Sequence, residues 1–485
     1  MQKKTQQGSS YHFARTKILC TLGPATSDKD TLQRMIRAGM DGVRLNFSHG
    51  SWESFDNLYY SVHEACKAES TSLAVLADLQ GPKIRIGKLS RPEIEIKTGD
   101  TIRITIEDLE GTAEVVSTSY KLLVNDAKVG DTILIDDGLL KLTVASKEEK
   151  AVVCEIVNGG ILKPKKGMNL PGMALSTPSV TEQDLRNLEY IFTKHRVDFV
   201  ALSFVRSASD ITNLRSWMKE RGFSAPIISK IEMKEAVNNF EAILSVSDGI
   251  MVARGDLGVE LPPQEVPLIQ KNIIKRCNAT GKLVITATQM LESMVNNPIP
   301  TRAEASDVAN AVWDGTDVVM LSAETSVGKY PVRAVETMND IVENAGNHAY
   351  WNRAVKYDEP AEFTDRLFDS VNKGIVQMSR EVEATAIVVF SDQGRTARKL
   401  SKYRPNARII AISDKFETMN KLCLYWGVSS LFMPDLTRDS EILIPEASKM
   451  IKKLGLAKQG DVVIFTSGTP VAETGRTNKL KIFII

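Results

Sequence analysis

The first two thirds of this chain repeat one pattern: a short β-branched run, a turn residue, and then a longer segment of helical periodicity. Eight such units occur, with predicted strands at 17–22, 42–46, 73–79, 199–204, 227–231, 249–253, 283–288 and 317–321. Strands joined by right-handed helical crossovers are parallel. The pattern therefore favours an α/β fold, a closed (β/α)8 TIM barrel, with an open doubly wound sheet as the alternative.

The spacing of these strands has one anomaly. Neighbouring strands mostly start roughly 20 to 40 residues apart, but about 120 residues separate the third from the fourth, more than a helix and two loops require. Residues 94–97 and 102–106 alternate apolar and polar side chains, and Gly/Asp turns follow them. This pattern predicts a small β-barrel or sandwich inserted behind the third strand, as a lid over the barrel mouth.

The pattern changes again after about residue 350. A charged linker at 356–360 precedes helical segments and strands at 386–390, 409–412 and 462–465, which indicates a separate α/β domain. The predicted domains are a barrel of residues 1–81 and 179–350, a lid of residues 82–178, and a C-terminal α/β domain of residues 351–485. We expect no further domain after Ile485.

Charge and hydropathy exclude several classes of protein. Lys and Arg number 61 against 60 Asp and Glu, a net charge of +1, which argues against a nucleic-acid-binding surface. No apolar run reaches the roughly 18 residues that span a bilayer, and the first residues lack the apolar core of a secretory signal. We therefore expect a cytoplasmic protein with no membrane or nucleic-acid partner.

Polar residues end five of the predicted strands, where a βα barrel has its active site. They lie at 44–50, 78, 230–232, 254–256 and 286–289. Lys230 and Glu232 are two residues apart on a strand and share a face, which also fits a structural ion pair. With Asp256 after the next strand, two carboxylates suit Mg²⁺ or Mn²⁺ rather than zinc. Gly255 allows a ligand to approach the backbone closely.

Positive charge is expected at the same mouth. Arg44 and Arg85 match phosphate oxygens with a planar fork, and the Lys230 ammonium can neutralise a phosphoryl group during transfer. Without a Ser/His/Asp arrangement or a Walker loop, these residues indicate phosphoryl or enolate chemistry. The residues alone do not identify the phosphate donor.

Motifs over nearly the whole chain match one family. The sequence resembles pyruvate kinase at residues 21–25, 44–50, 78–85, 228–232, 251–258, 287–294 and 300–304. The resemblance implies phosphoryl transfer from phosphoenolpyruvate to ADP in glycolysis, giving pyruvate and ATP. It also implies a barrel with a lid after its third strand, a C-terminal regulatory domain and a homotetramer.

The resemblance assigns roles to the polar strand ends. Glu232 and Asp256 would bind Mg²⁺, and Lys230 would stabilise the phosphoryl group in flight. Arg44 and Arg85 would hold phosphate oxygens. The amides of Gly255 and Asp256 would seat the substrate carboxylate together with Thr288.

Further roles follow from the same resemblance. Thr288 lies on the route of proton delivery to the enolate carbon, through water, since a threonine hydroxyl is too weak an acid to act alone. Pro24, His49 and Arg85 match positions near the nucleotide. His49 is equally compatible with an ordinary loop histidine.

The chain departs from many family members at two positions. Residues equivalent to those that bind K⁺ are Asn46, Ser48, Asp78 and the carbonyl of Leu79. Members that need K⁺ carry a glutamate where this chain has Lys83, and those with lysine resemble the K⁺-independent group. A fixed ammonium can supply the charge that the ion otherwise brings, so we expect turnover without K⁺. Gln183 replaces a common lysine, which removes one candidate phosphate contact.

The C-terminal domain resembles the effector-binding domain of the family. Ser391, Gly394, Arg395 and Thr396 follow a predicted strand and precede a helical pattern, as in a phosphate cradle. The expected effector is a sugar phosphate or a nucleotide, although Asp392 would repel phosphate. An ordinary βα loop is the alternative.

Two other functions are compatible with parts of this pattern. A metal-dependent aldolase or lyase acting on pyruvate would also need carboxylates, Mg²⁺ and a cation beside the enolate. A non-catalytic sugar-phosphate sensor is the other alternative, and it would be expected to lose Lys230, Glu232, Asp256 or Thr288. All four residues are present.

Overall fold

A computed structural model of the chain describes residues 14–48, 50–347, 357–360, 362–436, 440–468 and 479–485. The strands are β1 (Lys17–Thr21), β2 (Gly42–Asn46), β3 (Ala74–Asp78), β4 (Ile94–Ile96), β5 (Thr101–Thr105), β6 (Val115–Ser117), β7 (Thr132–Ile135), β8 (Leu140–Lys147), β9 (Ala151–Asn158), β10 (Gly160–Leu162), β11 (Met168–Asn169), β12 (Phe199–Leu202), β13 (Ile227–Ile231), β14 (Gly249–Ala253), β15 (Leu283–Ala287), β16 (Val318–Leu321), β17 (Ala386–Phe390), β18 (Arg408–Ser413), β19 (Val428–Phe432), β20 (Val462–Ser467) and β21 (Lys479–Ile484).

The α-helices are α1 (Lys29–Arg37), α2 (Trp52–Glu69), α3 (Leu123–Asp126), α4 (Glu182–Lys194), α5 (Ala208–Glu220), α6 (Lys234–Asn238), α7 (Phe240–Val246), α8 (Arg254–Glu260), α9 (Val266–Thr280), α10 (Arg302–Asp314), α11 (Ala323–Ser326), α12 (Pro331–Asn347), α13 (Phe363–Glu381), α14 (Arg395–Lys402), α15 (Phe416–Leu422) and α16 (Ser440–Lys453). Short 3-10 helices span Pro24–Thr26 and Glu292–Val295. None of the helices among these residues is long and apolar enough to cross a membrane.

Eight strands close into a barrel in the order β1-β16-β15-β14-β13-β12-β3-β2. The pairs β1–β2, β1–β16, β13–β14 and β15–β16 are parallel. Every residue of β1, β3, β14 and β15 is buried, as expected for strands with helices on one side and barrel side chains on the other. The predicted (β/α)8 barrel is confirmed, and the closed order excludes the open sheet.

The described residues divide into two compact units. One contains the residues up to Ala77, Lys194–Val200 and the residues from Ile274 onward; the other contains Asp78–Thr193 and Ala201–Ile273. The second unit includes β13, β14 and the inserted sheet. The C-terminal sheet belongs to the first unit.

The inserted segment between β3 and β12 is built from strands, as predicted. It forms a curled six-stranded sheet in the order β11-β7-β8-β9-β5-β6 and a two-stranded sheet of β10 and β4. Its own apolar core includes Ile102, Ile104, Leu142 and Cys154. Apolar positions of the alternating sequence therefore point inward, and the charged Glu95 and Arg103 between them are exposed.

One carboxylate ties together the two ends of this insertion. Asp184, fully buried in α4, accepts hydrogen bonds from the backbone nitrogens of Gln80 (2.9 Å), Gly81 (3.2 Å) and Thr181 (3.0 Å), and from Thr181 Oγ1 (2.6 Å). Gly81 has φ +68°, and a Cβ there would lie 2.5 Å from the Phe204 ring. A glycine is therefore required where the chain enters the insertion.

The C-terminal α/β domain has a five-stranded sheet in the order β19-β18-β17-β20-β21, in which β21 is antiparallel to β20. An arginine of this domain contacts the barrel: Arg404 Nη2 lies 2.6 Å from Asp317 Oδ1 and donates to Asn278 Oδ1 at 2.6 Å. Burial raises the pKa of Asp317, and the Arg404 guanidinium lowers it. The ion pair fixes this domain to the amino-terminal end of β16.

Candidate active site

Lys230, near the carboxyl end of β13, lies between two buried carboxylates. Its Nζ is 3.3 Å from Glu232 Oε2 and 3.5 Å from Asp78 Oδ1, and both acidic side chains are 1% exposed. The Lys230 side chain itself is 12% exposed. The ammonium therefore has a negative charge on two sides. The structure thus brings together residues that the sequence placed at the ends of two different strands.

Glu232 is held by the backbone of the neighbouring strand end. The Phe204 nitrogen donates to Glu232 Oε1 at 2.6 Å. Burial raises the pKa of Glu232 to about 7; the Lys230 ammonium lowers this pKa, and the Asp256 carboxylate raises it. The second oxygen, Oε2, is buried and accepts no hydrogen bond from any described residue. The Lys230 ammonium faces this oxygen at 3.3 Å without a hydrogen bond, so the oxygen keeps its lone pairs for a further cation.

The donor set fits a hard divalent cation. Asp256, in the first turn of α8, is the other carboxylate, and it interacts electrostatically with Glu232. Over the ranges that the structure describes, no group of three or more His, Cys, Asp and Glu side chains could hold a metal ion. Two carboxylates leave the remaining coordination positions to substrate oxygens and water, which suits Mg²⁺ or Mn²⁺.

Helix α8 begins directly after β14, so Gly255 and Asp256 lie in its first turn. Backbone N–H groups in a first turn point away from the helix body. Arg254, the first residue of the helix, is buried, and its Nη1 donates to Gln270 Oε1 at 3.4 Å. A short helix of seven residues therefore begins at this strand end.

Two cations follow β3. Desolvation lowers the pKa of Lys83, Arg85 and Lys230 lower it further, and Asp256 and Asp137 raise it. Lys83 therefore interacts electrostatically with the side chains of Lys230 and Asp256. Arg85 is anchored in the insertion, since its nitrogen donates to Ser119 Oγ and its Nη1 to the Lys165 carbonyl, both at 2.9 Å.

The carboxyl end of β2 carries three of the predicted residues. Arg44 Nη1 donates to Thr21 Oγ1 at 3.1 Å, and Thr21 Oγ1 donates to the Leu321 carbonyl at 2.9 Å. Asn46 Oδ1 accepts from the Ser48 nitrogen at 3.1 Å, which closes a local turn. His49 lies outside the described residues. Pro24 is exposed and opens the 3-10 helix after β1.

Thr288, directly after β15, has φ +63°, and the following Gln289 has φ +54°. Its hydroxyl donates to the Ala287 carbonyl at 2.7 Å. Left-handed backbone is rare for a β-branched residue and costs about 1–3 kcal/mol, and such conformations concentrate at functional sites. The backbone thus singles out a residue that the sequence placed at the barrel mouth.

Models of known protein families match two segments of the chain. The model of the family described as "Pyruvate kinase, barrel domain" matches residues 13–335. The chain belongs to the pyruvate kinase family. A second family model, "Pyruvate kinase, alpha/beta domain", matches residues 369–483. The chain is therefore an enzyme of the pyruvate kinase type.

Individual relatives agree. The chain is 43% identical to a pyruvate kinase of Geobacillus stearothermophilus and 41% identical to one of Staphylococcus aureus; each match covers 97% of this chain and 80% of the relative. A crystal structure of a pyruvate kinase from Cryptosporidium parvum matches with a TM-score of 0.90 and 37% identity, covering 97% of this chain and 96% of the other.

In the C-terminal domain, the loop predicted to bind an effector lies between β17 and α14. Ser391 Oγ accepts from the Gly394 nitrogen at 2.9 Å, and Asp392 forms an ion pair with Lys415. Thr396, in the first turn of α14, is buried, and Arg395 beside it is exposed. The polar groups at the start of this loop are thus bonded within the domain.

Sequence reasoning missed Ser203, Phe204 and Glu260. Ser203 accepts a hydrogen bond from Lys230 Nζ at 2.6 Å, and Phe204 is an aromatic residue with φ +54°. Burial raises the pKa of Glu260 to about 7, Glu235 raises it further, and a hydrogen bond with Asn169 lowers it. A signal for Ser203 was available, because it is a polar residue near the carboxyl end of the predicted fourth strand, 199–204.

Proposed function

We propose that this pyruvate kinase family member transfers the phosphoryl group of phosphoenolpyruvate to ADP, giving pyruvate and ATP in glycolysis. The observation that carries the proposal is the Lys230 ammonium between the buried carboxylates of Asp78 and Glu232 at the end of a barrel strand. A fixed cation at such a site neutralises charge on a phosphoryl group in transit, and afterwards on the enolate.

The substrate is held by groups from several strand ends. Arg44 and Arg85 bind phosphate oxygens, and the amides of Gly255 and Asp256 with Thr288 seat the carboxylate of phosphoenolpyruvate. Arginine suits this role because its fork matches two oxygens at once. Thr288 relays the proton to the enolate carbon through water, while Pro24, His49 and Arg85 contact the nucleotide.

Glu232 and Asp256 hold Mg²⁺, for which Mn²⁺ can substitute. This assignment is supported by Glu232 Oε2, which accepts no hydrogen bond from a described residue although Lys230 Nζ lies 3.3 Å away, and by the all-oxygen donor set. The ion neutralises the oxygens of substrate and phosphoryl group when bound. The two carboxylates orient the ion. Because Glu232 is buried, its attraction for a cation is stronger than that of a carboxylate exposed to water.

The chain works without K⁺, because the Lys83 ammonium supplies the charge. Two of the oxygens equivalent to K⁺ ligands already have partners: Asp78 pairs with Lys230, and the Leu79 carbonyl accepts from Ser203 Oγ at 2.6 Å. Asn46 likewise closes a turn with Ser48. The interaction of Lys83 with Asp256 supports its place beside the nucleotide.

Replacing K⁺ by a tetraalkylammonium salt tests this point. The parent chain should keep its kcat within about twofold, whereas Lys83→Glu should lose turnover in the tetraalkylammonium salt and regain it with K⁺. A Lys88→Glu variant, which changes an exposed lysine of the same segment, is the control. A parent rate that collapses without K⁺ would refute the proposal.

The loop containing Ser391, Gly394, Arg395 and Thr396 binds a sugar-phosphate or nucleotide effector, and the enzyme is an allosteric cytoplasmic homotetramer.

The proposed domain boundaries lie at residues 81/82, 178/179 and 350/351. The change from a parallel barrel to a curled sheet between β3 and β12 supports the first two boundaries.

Pyruvate formation from phosphoenolpyruvate with Mg²⁺, with and without ADP, tests the proposed reaction. Stoichiometric pyruvate and ATP that require ADP would support it. Release of pyruvate from a larger carbon skeleton without ADP would indicate an aldolase or lyase instead. Effector binding with no turnover would indicate a sensor.

A further inference from the structure

Ser203 is placed where three barrel strands meet at their carboxyl ends. It directly follows β12 and is 1% exposed. Its hydroxyl accepts from Lys230 Nζ, which belongs to β13, at 2.6 Å, and donates to the carbonyl of Leu79, which follows β3, also at 2.6 Å.

The direction of both bonds is fixed by the chemistry of a hydroxyl, which has one proton and two lone pairs. Ser203 Oγ lies 3.5 Å from Asp78 Oδ1, much farther than from the Leu79 carbonyl, so its proton points at the carbonyl. Its lone pairs then face Lys230. The hydroxyl therefore acts on the ammonium only as an acceptor.

Among the three contacts of Lys230 with Ser203, Glu232 and Asp78, the one with Ser203 is the shortest. At 3.3 and 3.5 Å the carboxylates supply charge, but they lie beyond the usual N–H···O distance and define direction weakly. A 2.6 Å hydrogen bond to a buried hydroxyl that itself makes two hydrogen bonds fixes the direction of the ammonium strongly. The carboxylates thus balance the charge of the ammonium, and the Ser203 hydroxyl sets its direction.

The backbone next to Ser203 is held in place as well. The following residue, Phe204, has φ +54°, donates its N–H to Glu232, and packs against Gly81, where no side chain would fit. Ser203 and Phe204 thus contact both the ammonium and the proposed metal ligand of β13. An unusual backbone kept by several contacts gives a fixed geometry.

We propose that Ser203 is a positioning residue for phosphoryl transfer. Its hydroxyl aims the Lys230 ammonium at the transferring group by accepting one N–H bond, while its own proton anchors it to the Leu79 carbonyl. This inference rests on the proposed function, since it assumes that Lys230 acts in the reaction. Small misplacements of such a group cost rate because catalysis depends on orientation.

The test compares Ser203→Ala with Ser203→Thr, and with Ser229→Ala as a matched control. Ser229 precedes Lys230 on β13, is fully buried, and shares a 2.6 Å hydrogen bond with Ser247. By strand alternation its side chain faces away from that of Lys230. Its removal therefore reports the cost of losing a buried hydroxyl without touching the ammonium.

We expect Ser203→Ala to lower kcat by at least about tenfold, with the KM for phosphoenolpyruvate changed by less than about threefold. Ser203→Thr, which keeps the hydroxyl, should recover most of kcat, and Ser229→Ala should stay within about twofold of the parent. Ser203→Cys keeps the volume with a weak acceptor and should resemble Ser203→Ala; it replaces that variant if alanine prevents folding.

A second measurement asks whether Ser203 acts through Lys230. In a Lys230→Arg background with measurable residual turnover, Ser203→Ala should change kcat by less than about threefold, because the aimed group is gone. An equal fold-loss in both backgrounds, or equal losses in Ser203→Ala and Ser229→Ala, would overturn the inference. So would a Ser203→Ala enzyme with parental kcat. A parent that makes no pyruvate would instead overturn the proposed function.

Discussion

The carboxyl end of β13 and the loop 391–396 are both candidates for binding phosphate groups, yet their polar atoms are arranged in opposite ways. At β13, Glu232 Oε2 is buried without a hydrogen-bond donor among the described residues. In the loop, Ser391 Oγ accepts from the Gly394 nitrogen, and Asp392 pairs with Lys415. A buried carboxylate whose hydrogen bonds are incomplete destabilises the fold until a ligand supplies the missing partner. The barrel site therefore gains more from binding a ligand than the loop does.

The backbones of the two regions differ in the same sense. In the loop the left-handed residue is Gly394, with φ +70°, which adopts this conformation without steric cost. At the barrel strand ends the left-handed residues other than glycine are Phe204, Thr288 and Gln289, for which that conformation is strained. Backbone strain and a buried carboxylate oxygen without a hydrogen-bond donor therefore coincide in the region proposed for chemistry, and strain is less marked in the loop proposed for regulation.

The largest effect is expected from Lys230→Met. Without the ammonium, the transferring phosphoryl group loses one of the cations that balance its developing charge, and kcat should fall by about a thousandfold or more. Pyruvate formation from phosphoenolpyruvate, ADP and Mg²⁺ measures it. Lys219→Met, which changes an exposed lysine of α5, should keep the parental rate. A Lys230→Met enzyme with near-parental kcat would contradict the assigned role.

Glu232→Gln separates function from stability at the same site. The amide is a poorer ligand for a hard cation, so half-saturation should need at least about ten times more Mg²⁺, and kcat/KM should fall. In metal-free buffer near neutral pH the thermal midpoint should be no lower than that of the parent, because burial and the Asp256 charge raise the pKa of Glu232 despite its ion pair with Lys230, so the folded site favours the neutral form. Glu220→Gln, on an exposed side chain, is the control. An unchanged Mg²⁺ dependence would contradict the assignment of Glu232 as a metal ligand.

Asp184→Ala tests the opposite kind of carboxylate, one whose hydrogen bonds are all internal. Its loss leaves the backbone nitrogens of Gln80 and Gly81 unsatisfied, which should lower the free energy of unfolding by about 2–3 kcal/mol. Urea unfolding, and the rate of proteolysis near residues 80 and 180, measure this. Glu182→Ala, an exposed residue of the same helical turn, should change neither. Equal urea midpoints for the two variants would show that the tie does not stabilise the insertion.

Much of this architecture could be predicted from the sequence, because periodicity reports which faces are buried. The barrel and the mainly β insertion follow from the β-branched runs and the gap between the third and fourth strands. The pairing of Lys230 with Glu232 follows from strand alternation. The contact with Asp78 could be expected only as a consequence of parallel strand ends meeting at one edge.

The contacts of Ser203, Phe204 and Glu260 could not be predicted in the same way. A serine after a strand is common, and only the fold shows that its hydroxyl reaches Lys230 and Leu79. Positive φ at Phe204 is imposed by packing against Gly81 and by the bond to Glu232, not by residue preference. Tertiary contacts of this kind leave little trace in a local pattern.

The smallest effect on basal turnover is expected from Thr396→Asp in the loop. The residue lies in the first turn of α14, where a carboxylate is tolerated by the helix dipole but repels a bound phosphate. Basal kcat should stay within about twofold of the parent, whereas activation by a responsive hexose phosphate or nucleoside monophosphate should disappear. Arg395→Gln, on an exposed side chain beside it, should weaken the response without abolishing it. If the parent enzyme responds to none of these compounds, the loop is an ordinary βα connection, and its internal hydrogen bonds are its whole role.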